Sequence, residues 1–326
     1  MQPVVEMARR VRDGVERVVV GKREVVELAI AAALADGHIL IEDVPGLAKT
    51  LLAKSLARSL GCSFRRIQCT PDLLPSDITG LYYFNQRSQA FEFRPGPVFA
   101  QVVLADEVNR ATPRTQSALL EAMEERQVTI EGETHPLPRP FLVIATQNPI
   151  ELQGTFPLPE AQLDRFLVRL SIGYPSADEE RAILGRFRAD NPYEDLQPVT
   201  SPEEVQAAQR AVRQTRVSAA VEGYVAEIVR ATRGHEAVVL GASPRGSLAL
   251  MRVAQALAAM AGRAFVTPDD VKRAAPAVLP HRLILNAQAR LREQGADEVV
   301  ADVLATVPVP VETGAGAHRG QAGEGG

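Results

Sequence analysis

The sequence predicts an α/β protein: a mostly parallel sheet with helices on both faces, followed by a smaller all-helical domain. Three observations predict it. Short apolar runs alternate with segments of helical period as far as Pro175, the pattern of strands joined by crossover helices. After Tyr174-Pro175 strand signals largely disappear and helical segments follow. The length of 326 residues allows about two domains of ~100–200 residues each. The expected division is residues 1–175 and 176–310, with a glycine- and alanine-rich end, 311–326, expected to be disordered.

Taken in order, Val4 to Val19 has helical period and Gly21 ends it; a second helix runs from about Arg23 to Ala35. Ile39-Leu40-Ile41, between Gly37 and Pro45, reads as a buried strand. Lys49 to Leu60 is helical and Gly61 closes it. Phe64–Cys69, Val102–Ala105, Phe141–Ala145 and Phe166–Ile172 are the remaining strands. Thr112-Pro113 opens a helix to about Glu125, threonine as cap and proline in the first turn. Two insertions, Gly80–Arg94 turning at Asn85–Gln89 and Val128–Leu137 turning at Glu131-Gly132, read as β-hairpins. Phe84, Phe91 and Phe93 on the first are read as hairpin packing, with a partner-contacting face as the alternative. The second domain's helices fall near Ala177–Arg188, Pro202–Gln214, Ala219–Thr232, Pro244–Ala261 and Pro268–Ala275.

Composition narrows the class. A hydrophobic fraction of 46% suits a soluble chain with a real core. Formal net charge is −4, from 36 basic and 40 acidic residues, without the basic excess of a dedicated nucleic-acid binder. Cys62 and Cys69 fit no metal motif and read as buried small side chains. Free thiols, no uninterrupted apolar run near the N-terminus and no ~18-residue apolar stretch together give the expectation of a cytoplasmic chain without a membrane span. The five histidines have no ligand spacing, so no zinc site is expected.

The chemistry concentrates at three strand ends. Asp43-Val44-Pro45-Gly46-Leu47-Ala48-Lys49-Thr50 follows an apolar strand and opens a helix. Against the P-loop pattern GxxxxGK[ST], Lys49 and Thr50 match, while Asp43 and Ala48 stand at the glycine positions. Amides at such a helix start can cradle phosphate, Lys49 can hold the β- and γ-phosphates, and Thr50 can ligate Mg²⁺. An ordinary strand–helix turn is the other reading. Asp106-Glu107 ends a buried strand, the end at which parallel sheets bind ligands. Asp106 would complete the Mg²⁺ site and Glu107 would act as general base; a solvated loop start is the alternative. Asn148, after the strand Phe141–Ala145, can orient a lytic water or simply form an Asn-Pro turn.

From about Val18 to Val307 these segments resemble the MoxR family of AAA+ ATPases. The blocks carrying the resemblance are LLPSDITG, FRPGPVF, LADEVNRATPRTQSALLEAMEE, ATQNPIELQGTFPLPEAQLDRF and SPRGSLAL, after an opening block around the Lys49 loop. The family commonly has aspartate or glycine at the Asp43 position and glycine or alanine at the Ala48 position. The resemblance implies a P-loop AAA+ core, then a helical lid. It implies Walker A at Lys49 and Thr50, Walker B at Asp106 and Glu107, and sensor 1 at Asn148. Arg165 resembles the arginine finger, which reaches a neighbouring subunit's nucleotide, and Arg245 resembles sensor 2. Val20-Gly21 resembles the segment near the adenine. From the residues alone the bland reading is the favoured one: Arg165 as a helix-end salt bridge to Asp164 or Glu160, and Arg245 as a surface side chain.

The expected function is ATP hydrolysis with Mg²⁺ in a homo-oligomeric ring, expected to be hexameric. The work done would be chaperone-like remodelling of a partner, or maturation of a metal cofactor. A von Willebrand factor A domain protein is the partner the resemblance implies. Alternatives are a DNA-associated motor using the hairpin Val128–Leu137, and a nucleotide-gated scaffold. Glu131 and Glu133 make that hairpin a poor nucleic-acid contact.

Overall fold

A computed structural model describes residues 1–151, 154–188 and 191–310; the glycine-rich end expected to be disordered lies outside them. Two helices lead, α1 (Gln2–Glu16) and α2 (Arg23–Leu34). Then come β1 (His38–Glu42), α3 (Lys49–Ser59), β2 (Phe64–Gln68), α4 (Pro75–Thr79) and the hairpin β3 (Gly80–Asn85) and β4 (Ala90–Pro95). Next are β5 (Val102–Asp106), α5 (Pro113–Glu125) and the second hairpin, β6 (Gln127–Ile130) and β7 (Glu133–Pro136). β8 (Leu142–Gln147), α6 (Glu160–Leu163) and β9 (Phe166–Leu170) complete the core. The lid holds α7 (Ala177–Arg186), α8 (Pro202–Arg213), α9 (Ala219–Gly234), β10 (Val238–Leu240), α10 (Pro244–Met260), α11 (Pro268–Val278), β11 (Ile284–Leu285), α12 (Ala287–Leu291) and α13 (Ala296–Thr306). The proposed domain division after Pro175 falls between β9 and α7.

The five core strands are parallel and run in the order β2-β5-β8-β1-β9. Successive side chains point to opposite faces of a strand, and the burial follows. Ile39, Ile41, Val102, Leu104, Leu142 and Ile144 join one apolar cluster with α1–α3 and the lid helices. Leu40, Val103, Ala105, Val143 and Ala145 join a second cluster with α4, α5 and the second hairpin. The sheet is therefore covered on both faces, which is why its strands read as unbroken apolar runs.

Helix ends follow local chemistry. Gly61 sits just past α3 at φ +66°, where a Cβ would lie 2.4 Å from the Thr200 carbonyl. Ser176 and Ser201 cap α7 and α8, each in a reciprocal box with the glutamate three residues on. Thr112 stands at the start of α5 but makes no capping bond; its hydroxyl lies 3.2 Å from that of Thr115. The lid is helical apart from the short antiparallel ribbon of β10 and β11, which the sequence reading does not include. Cys62 and Cys69 are free and buried, and burial pushes both thiols up to about 12. Among the described residues no helix is long and apolar enough to cross a membrane. Of the three hairpin phenylalanines, Phe93 packs against Tyr82, Phe99 and His135. Phe84 and Phe91 meet edge to face near the exposed tip.

His38 opens β1 from the buried side. Its Nε2 lies 3.0 Å from the Met123 carbonyl, and its Nδ1 accepts from the Val143 amide at 3.0 Å. Burial, with the Arg126 charge nearby, pushes its pKa down to about 3. His281 is shifted the same way by burial and then by Arg282. In the unfolded chain both would protonate near 6.5. As pH falls below that value the unfolded state takes up protons first, so stability is lost from about 6.5 down toward the folded pKa. Each histidine should cost about 1 kcal/mol per pH unit in that window. Urea unfolding at pH 5.5 should show a stability about 1–3 kcal/mol below that at pH 7.5, and His38→Gln should shrink the difference. An unchanged difference would remove His38 from the effect.

Candidate nucleotide site

The carboxyl ends of β1, β5 and β8 lie side by side, and their loops form a cleft of about 290 Å³. Pro45 to Leu51, Asp106, Glu107 and Asn148 line it. The structure thus brings Lys49, Thr50, Asp106, Glu107 and Asn148 to one place from three separate segments.

The loop is built to present backbone. Gly46 takes φ +86° with open space where a Cβ would be. Ala48 is left-handed at φ +55° and forms the N-cap of α3 without any side-chain bond to the helix amides. The first amides of a helix have no partner within the helix, so those of α3 point outward at the positive end of its dipole. This explains the glycine of the generic pattern: a left-handed backbone favours it, and alanine is the smallest side chain that bears the strain.

Lys49 Nζ lies 2.5 Å from the Asp43 carbonyl. Burial lowers its pKa, and Asp43, Asp106 and Glu107 counter that shift. Asp43 itself departs from expectation. Its carboxylate is buried and accepts the amides of Ile172 and Gly173 (3.3 Å) and the Ser171 hydroxyl (3.3 Å). It faces the end of β9, and neither it nor Val44 lines the cleft. Val20-Gly21 lies on the same side. Lys22 donates to the Tyr174 carbonyl at 2.9 Å, and Gly21 packs against Glu179 so closely that no Cβ would fit.

Asp106 is buried and fully engaged. Thr146 Oγ1 donates to its Oδ1 at 2.6 Å, and Arg66 reaches its Oδ2 at 2.6 and 3.0 Å. Thr50 Oγ1 stands 3.4 Å from the same Oδ2, long for a direct hydroxyl bond. Glu107 adopts φ +57°, a left-handed conformation uncommon in non-glycine residues. Its amide donates to Thr146 Oγ1 at 2.9 Å. Its Oε2 accepts from Arg110 at 3.0 Å and Gln68 at 3.2 Å. Asn148 Oδ1 accepts from the Ile150 amide at 3.2 Å. Asn148 thus forms the Asn-Pro turn and also lines the cleft.

Arg66, Gln68, Arg110 and Thr146 escape the sequence reading. Signals for them existed: Arg66 and Gln68 share one face of β2, Arg110 follows Glu107 by three, and Thr146 precedes Asn148 by two. Thr146 bridges both acidic residues from a fully buried position. Thr146→Val keeps its shape and orphans both partners, so it should cost about 1–3 kcal/mol of stability. Urea titration checks this, and a loss within error would discount the bridge.

The donor set fits a nucleotide triphosphate with magnesium. An amine, outward amides, one hydroxyl and one carboxylate converge, which suits an ion that arrives with phosphate and keeps waters. Among the described residues no group of three or more His, Cys, Asp or Glu side chains could hold a metal by itself.

The chain is similar to known proteins over most of its length. The family model described as "ATPase family associated with various cellular activities (AAA)" matches residues 38–168, and the AAA lid domain model matches 230–303. The chain is 45% identical to Chaperone MoxR1 of Mycobacterium tuberculosis, over 91% of this chain and 80% of that protein. The chain belongs to the MoxR family of AAA+ ATPases. An uncharacterized Bacillus subtilis protein, YeaC, is 50% identical over 92% of this chain and 94% of its own. The crystal structure of a candidate ATPase from Cytophaga hutchinsonii superposes with a TM-score of 0.88 at 40% identity, covering 95% and 98% of the two chains.

In this MoxR chain the two remaining arginines lie elsewhere. Arg165 directly precedes β9, and His38 pairs with Phe166 in the sheet, so Arg165 sits at the amino ends of the strands. That is roughly 15 Å from the carboxyl ends, at ~3.3 Å per strand residue. Arg165 pairs with Glu124 at 2.8 Å, rather than with Asp164 or Glu160, and donates to the Leu120 carbonyl at 2.8 Å. Arg245, in the first turn of α10, pairs with the same Glu124 at 2.7 Å. Both line a second cavity, of about 690 Å³. The lid thus places Arg245 beside Arg165 and away from the Lys49 loop.

Proposed function

We propose that this protein is a chaperone-like ATPase that hydrolyses ATP in a ring and transmits the cycle to a partner protein. The observation that carries the reading is the convergence of Lys49, Thr50, Asp106, Glu107 and Asn148 on the start of α3. In the proposed mechanism the α3 amides and Lys49 hold the β- and γ-phosphates. Magnesium beside Thr50 and Asp106 would offset phosphate charge. Glu107 takes the proton of the attacking water, and the Asn148 NH₂ orients that water. Arg165, too far to reach the chain's own cleft, serves the cleft of the next subunit, and Arg245 shares that edge. Such head-to-tail pairing is compatible with a closed ring, expected to be hexameric. The chain is expected to be cytoplasmic.

The name of the Mycobacterium relative, a chaperone, supports the remodelling role, whether on a partner protein or in metal-cofactor maturation; a von Willebrand factor A domain protein is the proposed partner. The DNA-motor alternative has less support. His135 of the second hairpin is stacked on Phe93 at 4.4 Å, and Glu133 takes the Tyr82 hydroxyl at 2.5 Å. Phosphate release measured with magnesium ATP, alone and with such a partner or with DNA, tests the proposal. No release above a Lys49→Ala control would sink it, and DNA stimulation with a steep salt slope would favour the motor.

A further inference from the structure

We propose that Glu124 is a positioning residue that sets Arg165 and Arg245 side by side as one two-arginine edge for the neighbouring subunit's nucleotide. The inference rests on the trans reading of Arg165. Glu124 lies in the last turn of α5, Arg165 directly precedes β9 and Arg245 belongs to the lid. Glu124 Oε2 lies 2.8 Å from Arg165 Nη1, and Oε1 lies 2.7 Å from Arg245 Nη2. Among the described residues it is the carboxylate that ion-pairs with either arginine.

Two guanidiniums converging from different domains repel one another, and one carboxylate between them offsets this. Each spends one nitrogen on Glu124. A guanidinium carries five N–H donors, so most of each fork remains for an anion from outside. The cavity they share has six arginines against three carboxylates in its lining, a balance that suits a polyphosphate.

The surroundings hold this edge to one geometry. Asp164, next to Arg165, accepts the Ser243 hydroxyl at 3.2 Å, and Ser243 in turn caps the Arg245 amide at 3.2 Å. The buried Arg282 donates to Asp164 from the lid at 2.8 Å. Burial lowers the Arg282 pKa to about 10, against the pull of Asp164. The lid is thereby pinned to the residue beside the finger, and Glu124 closes the clasp on the charged ends.

The experiment is Glu124→Gln, which keeps the shape and removes the charge. Expected results are phosphate release lower by on the order of 10–100-fold, with affinity for an ATP analogue and melting temperature as in wild type. Glu124→Asp should fall between. Co-assembly with Lys49→Ala subunits should restore release above either parent, because the lysine variant supplies an intact edge to an intact cleft. An Arg165→Ala and Lys49→Ala mixture is run alongside. Recovery there without recovery for Glu124→Gln overturns the positioning role alone. Recovery in neither overturns the trans reading and this role with it. Wild-type turnover in Glu124→Gln, or loss of turnover together with ATP binding, also overturns it.

Discussion

Glu107→Gln should bind ATP as tightly as the wild type and turn it over about 100–10,000-fold more slowly, the range a positioned general base supplies. The substitution keeps the side-chain length and an oxygen that can accept from Arg110 and Gln68, which now hold the carboxylate. In the proposed mechanism the phosphate contacts are those of the α3 amides and Lys49, which follow another strand. Binding and chemistry should therefore separate. Titration with a fluorescent ATP analogue and single-turnover phosphate release would show it. Unchanged turnover would take Glu107 out of its role, and lost binding would make the residue structural, as its left-handed backbone could also require.

Arg165→Ala should lower turnover by about 10³–10⁵, the worth of a guanidinium supplied in trans to a phosphoryl transfer, with ATP affinity unchanged. Geometry dictates the second half of the statement, since Arg165 lies at the far end of the sheet from its own cleft. Turnover per subunit should also rise with protein concentration in the wild type, as assembly creates complete sites. Light scattering beside phosphate release would follow both. A variant that lost ATP binding as well, or a wild type whose specific rate ignored concentration, would place the arginine in a structural role.

Much of the fold was legible because the parallel sheet is buried on both faces. Ile39-Leu40-Ile41 and Val102–Ala105 carry no polar residue to blur them. What the reading lacks is short or uncapped. The ribbon Val238–Leu240 is three residues long, and Ala296–Thr306 has Val299, Val300 and Val303 in helical register but begins at Gly295 without a capping side chain. At the site, Lys49-Thr50 and Asp106-Glu107 could be read because each pair is contiguous, the first opening a helix just after an apolar strand and the second standing at the end of one. For Arg66 the strand pattern offers its face of β2 but not its partner, since its bond to Asp106 depends on the pairing of β2 with β5. The meeting of Arg165 with Arg245 at Glu124 could not be read, since it requires the lid to fold back onto the amino edge of the sheet. Asp43 shows the same limit in another form. Sequence offers it as a poor glycine substitute, while the fold uses it to bind the end of β9.

That use of Asp43 makes the phosphate loop and the start of the lid one mechanical part. The residue's carbonyl receives the Lys49 amine, while its carboxylate grips two amides where the chain leaves the core for α7. Hydrogen bonds to a charged group are worth about 1.5–3 kcal/mol each. A shift of the loop therefore either carries Ile172 and Gly173 along with it or forfeits those bonds.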